Sequence, residues 1–269
     1  MSDFTHTTVG KLETRVCRLG LSASYRPGKQ VIHKAIDAGV NVFFLYGFDT
    51  QMMAVLRDVL PRDRERYLVA TGPYNFLLGH TSIRKTLEKR LRQLRTDYID
   101  AFLLLGVMKE KHFGSRVRDE MQMLKSEGKV RGFGLSTHNR TLAGELVASG
   151  AVDALMMRYN AAHRGAEQDV FPHLAAHNPA VISYTATRWR TLLKKPSNWP
   201  RDGRVPTPAM AYRFVLSRPD VHVCLNAPSN EAQLQHNLSA LRDGPLDEDE
   251  MQFMRQFGDA VYTVSRRFG

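Results

Sequence analysis

Residues 91–106 read LRQLRTDYIDAFLLLG, and their reading decides the fold. A helix runs into Arg95-Thr96-Asp97, a short polar turn, and Tyr98 to Leu105 then forms a strand. The run from Ala101 to Leu105 is continuously apolar, as expected of a parallel strand covered on both faces. It stops at Gly106. In an α/β barrel the chemistry sits at the C-terminal ends of the strands, and this strand ends in a residue without a side chain.

The same unit recurs in both directions. Residues 7–20 suggest a small hairpin, followed by a first strand around Val16–Ser22. Strands are expected at 41–46, 67–71, 131–137, 154–160, 180–186 and 221–225. Helices are expected at 29–38, 50–60, 82–95, 116–126, 141–148, 165–177, 208–217 and 230–241, with one more after Pro245. Gly or Pro stands at most joints. Strands alternating with helices argue for a parallel sheet. Eight βα units in this length predict a closed (β/α)8 TIM barrel with an N-terminal β-hairpin, one domain over residues 1–269. An open doubly wound sheet finds no support, because no strand is followed by G-x-G-x-x-G.

The 269 residues are 43% hydrophobic and 24% charged, an ordinary globular balance. No apolar run is long enough to span a bilayer, and the first residues lack the apolar core of a signal peptide. Two cysteines, Cys17 and Cys224, make neither a disulfide scaffold nor a metal cluster, so a reducing cytoplasm is the simplest setting. The formal net charge is +11. The basic residues are scattered through helices, as at Arg84, Lys85, Lys89, Arg90 and Arg92. That pattern reads as a solvated basic face rather than a nucleic-acid or membrane surface.

Five segments carry a resemblance: AIDAGVNVFF (35–44), IRKTLEKRLRQLRTDYIDAFLLL (83–105), LKSEGKVRGFGLST (124–137), MMRYNAAHR (156–164) and NEAQLQHNLSAL (230–241). With them the chain resembles the aldo-keto reductases along nearly its whole length. The resemblance implies a (β/α)8 barrel that binds NADP(H) in an extended form and reduces small-molecule carbonyl compounds. It also implies four residues for the chemistry: an Asp ending strand two, a Tyr shortly after, a Lys ending strand three and a His ending strand four. A Tyr titrates near pH 10 unperturbed, so a nearby cation is what makes it a usable acid. Here Phe44 stands at the Asp position, Gly72 at the Lys position and Gly106 at the His position. The Tyr-Gly pair survives as Tyr46-Gly47, about three residues early. Tyr46 is the best remaining proton donor, with a pKa expected to be normal or raised by its aromatic neighbours. Tyr74, Lys109, His112 and His138 follow mouth-side strand ends as substitutes of lower rank.

The cofactor half is better kept. By resemblance, Ser136 holds the nicotinamide amide and Tyr184 stacks on its ring, while the family's Gln on strand six is Met156. Ser229, Gln233 and Asn237 match phosphate and adenine contacts at the start and along one face of a helix, where an N-terminus favours an anionic phosphate. Arg188 and Arg190, with Lys194 and Lys195, form a basic loop that either clamps the pyrophosphate or is merely mobile. The expected function is therefore an NADP(H)-dependent oxidoreductase with altered or weak carbonyl chemistry. The alternative is a catalytically dead NADP(H)-binding sensor or partner subunit. Homo-oligomerisation stays open. No metal site is expected.

Overall fold

The chain enters through a plug. In the computed structural model, which describes residues 3–74 and 82–264, β1 (His6–Val9) and β2 (Thr14–Cys17) pair antiparallel, with Val9 opposite Thr14. Val9, Leu12 and Val16 are buried in one cluster with the barrel-lining Val42, Phe44, Leu68, Ala101 and Ala154. The hairpin thus closes one end of the barrel with apolar side chains. Its turn lies against the chain near Asn178, whose carbonyl accepts from Lys11 N–H at 2.9 Å. A Cβ on Gly10 would stand 2.5 Å from that same carbonyl oxygen, so only glycine fits the turn.

The first barrel strand is β3 (Leu19–Ser22). Val16 and Cys17, read in the sequence as its beginning, belong to the hairpin instead. The alternation β and α then runs through α1 (Lys29–Asp37), β4 (Val42–Phe44), α2 (Thr50–Val59), β5 (Leu68–Thr71), α3 (Ile83–Leu94) and β6 (Ile99–Leu104). It continues with α4 (Ser115–Ser126), β7 (Val130–Thr137), α5 (Arg140–Ala148), β8 (Ala154–Arg158), α6 (Ala166–Asp169) and β9 (Ala180–Tyr184). It ends with α7 (Pro208–Leu216), β10 (Val223–Asn226), α8 (Glu231–Asp243) and α9 (Glu248–Val264). Strands β3 to β10 form one closed parallel barrel, with β10 returning to β3 at Cys224 opposite Leu19. The (β/α)8 expectation and its N-terminal hairpin hold.

Local sequence explains most boundaries. Ser82 caps α3 by accepting from Lys85 N–H at 3.2 Å, and Arg95 ends it in the left-handed region at φ +54°, a usual C-terminal stop. Thr207, Asn139 and Asn230 cap α7, α5 and α8 in the same way. One helix is shorter than its pattern suggests. The stretch read as a helix over 165–177 is only one turn of α6, then a 3-10 turn at Phe171–His173. Pro172 lacks an N–H and clashes with the preceding turn, which breaks the helix there.

Loop 187–206 is held in place. Trp199 packs edge-on to Phe257 at 4.9 Å and Arg204 lies 3.8 Å over the Phe253 ring, both rings on α9. Cys17 and Cys224 are free and buried. Among the described residues no helix is long and apolar enough to cross a membrane.

Candidate functional site at the barrel mouth

Strand β4 delivers Phe44 and then Tyr46 to the mouth. Phe44 is buried in the barrel interior, so the position matched to the family's Asp is occupied by a ring, not a carboxylate. That ring meets Tyr46 edge-on at 4.8 Å. Tyr46 stacks flat on Phe48 at 5.2 Å and edge-on to Tyr74 at 6.2 Å. Its backbone N–H donates to Asp49 Oδ2 at 2.8 Å. Burial, then Tyr74 and Asp49, push the Tyr46 phenol above its ordinary value. The phenol therefore stays protonated through neutral pH and is a weak acid.

The two glycines that the resemblance sets at the Lys and His positions stand where the backbone disfavours a side chain. A Cβ on Gly72 would stand 1.7 Å from the Leu103 carbonyl oxygen and 2.7 Å from its carbon. The exit of β5 thus lies directly on β6, and no side chain fits there. Gly106 has φ +75°, the left-handed region that glycine enters without a Cβ penalty. Its N–H donates to Ser136 Oγ at 3.0 Å, and Val107 N–H donates to the Ser136 carbonyl at 2.9 Å. Ser136 therefore braces the turn at Gly106.

One site neighbour was misread from the sequence. Arg90, counted there in a solvated basic face, is buried with 5% exposure. Its guanidinium sits against the Tyr46-Gly47 turn, where a Cβ on Gly47 would stand 2.7 Å from Arg90 Nη2. It donates to Gln93 Oε1 at 2.7 Å. The signal was in the spacing: Ile83, Leu87, Arg90 and Leu94 are the buried residues of α3, so Arg90 falls on the apolar stripe.

A cavity of about 170 Å³ opens between β3, β4, β8, β9 and β10, lined among others by Ser22, Tyr46, Met156, Tyr184, Trp189 and Asn226. Its wall is mostly aromatic and apolar. Tyr184 presents its ring here, with its hydroxyl 3.4 Å from His138 Nε2. Tyr25, Phe48, Tyr74 and Trp189 are exposed large side chains nearby, all on mouth loops.

The expected phosphate residues divide. Ser229 and Gln233 are exposed at the start of α8, where Ser229 N–H and Oγ–H both donate to Gln233 Oε1, at 2.9 and 2.8 Å. Arg190 is exposed on the loop after β9. Arg188, in contrast, is buried at 2% exposure, with Nη1 donating to the Val261 carbonyl on α9 at 3.3 Å. Asn237 is also buried, and donates to Asn226 Oδ1 at 3.2 Å while Asn226 donates to the Gly20 carbonyl at 2.7 Å. These two side chains tie α9 to the loop and α8 to the barrel. Asn237→Ala leaves a buried Asn226 oxygen without its donor, so a loss of about 1–3 kcal/mol is expected in urea unfolding. Ligand affinity of the folded protein should change little; a large drop in affinity at unchanged stability would make Asn237 a ligand contact.

Residues 22–198 match the profile of the Aldo/keto reductase family, and the chain belongs to that family. An uncharacterized oxidoreductase of Bacillus subtilis is 23% identical over 199 residues, 64% of each chain. The match thus spans just under two thirds of that relative's length. Among solved structures, an aldo-keto reductase of Bacillus halodurans in its holo form superposes with a TM-score of 0.78 at 21% identity, over 95% of this chain and 97% of that one. An aldo-keto reductase of Klebsiella pneumoniae in complex with NADPH gives 0.72 at 20%, over 94% and 95%. Glycerol dehydrogenase of Gluconobacter oxydans gives 0.72 at 18%, over 98% and 97%.

Proposed function

We propose that the chain binds NADP(H) across the barrel mouth and reduces an apolar carbonyl compound slowly, with Tyr46 as the proton donor. The donor set fits the coenzyme. Tyr184 offers a ring face at the end of β9, and Ser136 offers a hydroxyl at the end of β7. Ser229 and Gln233 stand at the N-terminal end of a helix of 13 residues, with Arg190 exposed on the loop after β9. Helix N-termini favour phosphate. Bound NADPH supplies the hydride for the carbonyl carbon. The chain's own residues do the remainder: aromatic walls exclude water, and Tyr46 gives a proton to the carbonyl oxygen.

The observation that carries this reading is the Tyr46 environment, a protonated phenol in the wall of the aromatic cavity. Without the Lys, Asp and His of the family pattern, acid–base assistance is weakened by roughly 10²–10⁴-fold. A second reading is a non-catalytic NADP(H)-binding subunit. It is favoured by Gly72 and Gly106, whose surroundings leave no room or no ordinary conformation for the lost side chains.

The test is a calorimetric titration with NADPH, then turnover of an aromatic and aliphatic aldehyde panel. Saturable binding with turnover abolished in Tyr46→Phe supports the first reading. Since the phenol titrates above its ordinary range, its protonated form persists, and the rate should stay level between pH 6 and 9. Turnover indifferent to Tyr46→Phe removes the acid assignment. Saturable binding without turnover selects the second reading, and absence of binding overturns both.

A further inference from the structure

The helices scatter the basic residues, but the connections between elements do not. The eight connections that leave a strand for the next helix, at the mouth, carry ten Lys and Arg against three Asp and Glu. The seven that return from a helix to the next strand, at the opposite end, carry six of each. The surplus charge of the loops is therefore all at one end of the barrel. Part of it is spent inside the protein: Arg164 pairs with Asp259, Arg188 is buried, and Arg204 lies over the Phe253 ring. Arg26, Lys109, Lys111, Arg190, Lys194, Lys195 and Arg201 are exposed. Of the three carboxylates Asp49 is buried, which leaves Glu110 and Asp202 facing water.

The same end carries the exposed apolar side chains. Among the described residues eight large hydrophobic side chains are exposed, and five of them stand on these mouth loops: Tyr25, Phe48, Tyr74, Met108 and Trp189. Phe48 is 74% exposed and Trp189 54%. The five come from five different strand exits, so they are spread around the mouth rather than gathered in one groove. Tyr25 and Trp189 also line the aromatic cavity, and no charged side chain lines it. Grouped apolar exposure marks an interaction surface. A second copy of this chain does not suit the face, because two basic ends repel. An anionic bilayer suits both features. Aromatic rings sit at headgroup level, and Lys and Arg are drawn to the lipid charge. Attachment to a bilayer takes two such signals together.

We propose that the mouth face docks on an anionic lipid surface. Phe48, Met108 and Trp189 enter the headgroup layer, and Lys109, Lys111 and Lys194 lie beside lipid phosphates. The aromatic cavity then opens toward the bilayer. The proposal stands apart from the coenzyme reading, since none of these six side chains is assigned to the nucleotide.

The test is co-sedimentation of the full chain, without coenzyme, with sucrose-loaded vesicles at low ionic strength. Vesicles of phosphatidylcholine alone are compared with vesicles in which about one third of the lipid is phosphatidylserine. Binding to the anionic vesicles should be tighter by about tenfold or more, with a blue shift of tryptophan emission that Trp189→Ser removes. Trp189→Ser, and separately Lys109→Gln with Lys111→Gln, should each weaken that binding about tenfold. Lys85→Gln with Lys89→Gln removes the same charge from the exposed face of α3 and should change it by about twofold or less, because salt screens charges away from the contact. All five side chains are exposed, so the fold is spared, and circular dichroism checks it. Equal binding to neutral and anionic vesicles, or an α3 pair that loses as much as the loop pair, overturns the docking face. Tighter capture of duplex DNA or polyglutamate than of anionic vesicles at matched salt overturns the lipid surface as its partner.

Discussion

Gly72→Ala is expected to cost about 4 kcal/mol or more, enough to leave little folded protein. Losses of that size come from a short list of causes, and backbone collision in a packed interior is one. A single methyl at this position would stand 1.7 Å from the Leu103 carbonyl oxygen. No rotamer relieves that contact, because the backbone fixes the Cβ position and its partner is main chain. The strands would have to separate where Leu105 N–H donates to the Pro73 carbonyl at 2.9 Å and Tyr74 bridges to Leu105. Gly106→Ala provides the comparison. There the backbone conformation, an L-residue at φ +75°, costs about 1–2 kcal/mol. Urea midpoints of the two variants measure the difference. A Gly72→Ala protein within 1–2 kcal/mol of the parent would show that the β5 exit relaxes, and would reopen the position to a lysine. The expected result has a consequence for the chemistry: adding back a Lys and a His by substitution does not rebuild the family's four-residue site, because the backbone has closed over one position and turned away at the other.

The barrel was legible because its cause is periodic. Apolar runs such as 101–105 and the stripe of α3 repeat, and each repeat constrains the next. The break at Pro172 was legible in principle, since a proline inside a helical pattern is a local and unconditional fault. The site was less legible, because its residues act through distant partners. Arg90 looks like any surface arginine until Gly47 is known to lie against it. Arg188 and Asn237 carry the right chemistry for a phosphate or an adenine. Their burial depends on Val261, 73 positions on, and on Asn226, 11 positions back. Neither separation leaves a mark in the local pattern. Ser229 and Gln233 stand at a helix start that the capping Asn230 signals locally.

Asp100→Ala is expected to cost about 3–5 kcal/mol, the range for removing one partner of a buried ion pair. Asp100 has no exposed surface. One oxygen accepts from Val69 N–H at 2.8 Å and from Arg64 Nη2 at 2.6 Å. Arg131 approaches the other at 3.5 Å. Arg64 in turn donates to Thr96 Oγ1, the Tyr67 carbonyl and the Tyr98 carbonyl, and lies 3.8 Å over the Tyr98 ring. Truncation at Asp100 therefore removes the buried counter-charge of Arg64 and the acceptor of the Val69 N–H together, while Asp100→Asn keeps an acceptor for Val69 and should cost less. Urea unfolding orders the three proteins. Affinity for NADPH in the folded fraction should not change, because Asp100 sits at the start of β6, the barrel end opposite the mouth, where residues serve stability. A selective loss of affinity at unchanged stability would contradict that placement. The polar residues of the Thr96–Asp100 stretch thus work on the fold: Thr96, Tyr98 and Asp100 all engage Arg64, and Tyr98 also donates to Glu65 at 2.7 Å. The most specific segment of the family resemblance is thus structural at Thr96, Tyr98 and Asp100. At the mouth ends of β4, β5 and β6 stand Phe44, Gly72 and Gly106, none of which offers a group for acid–base work.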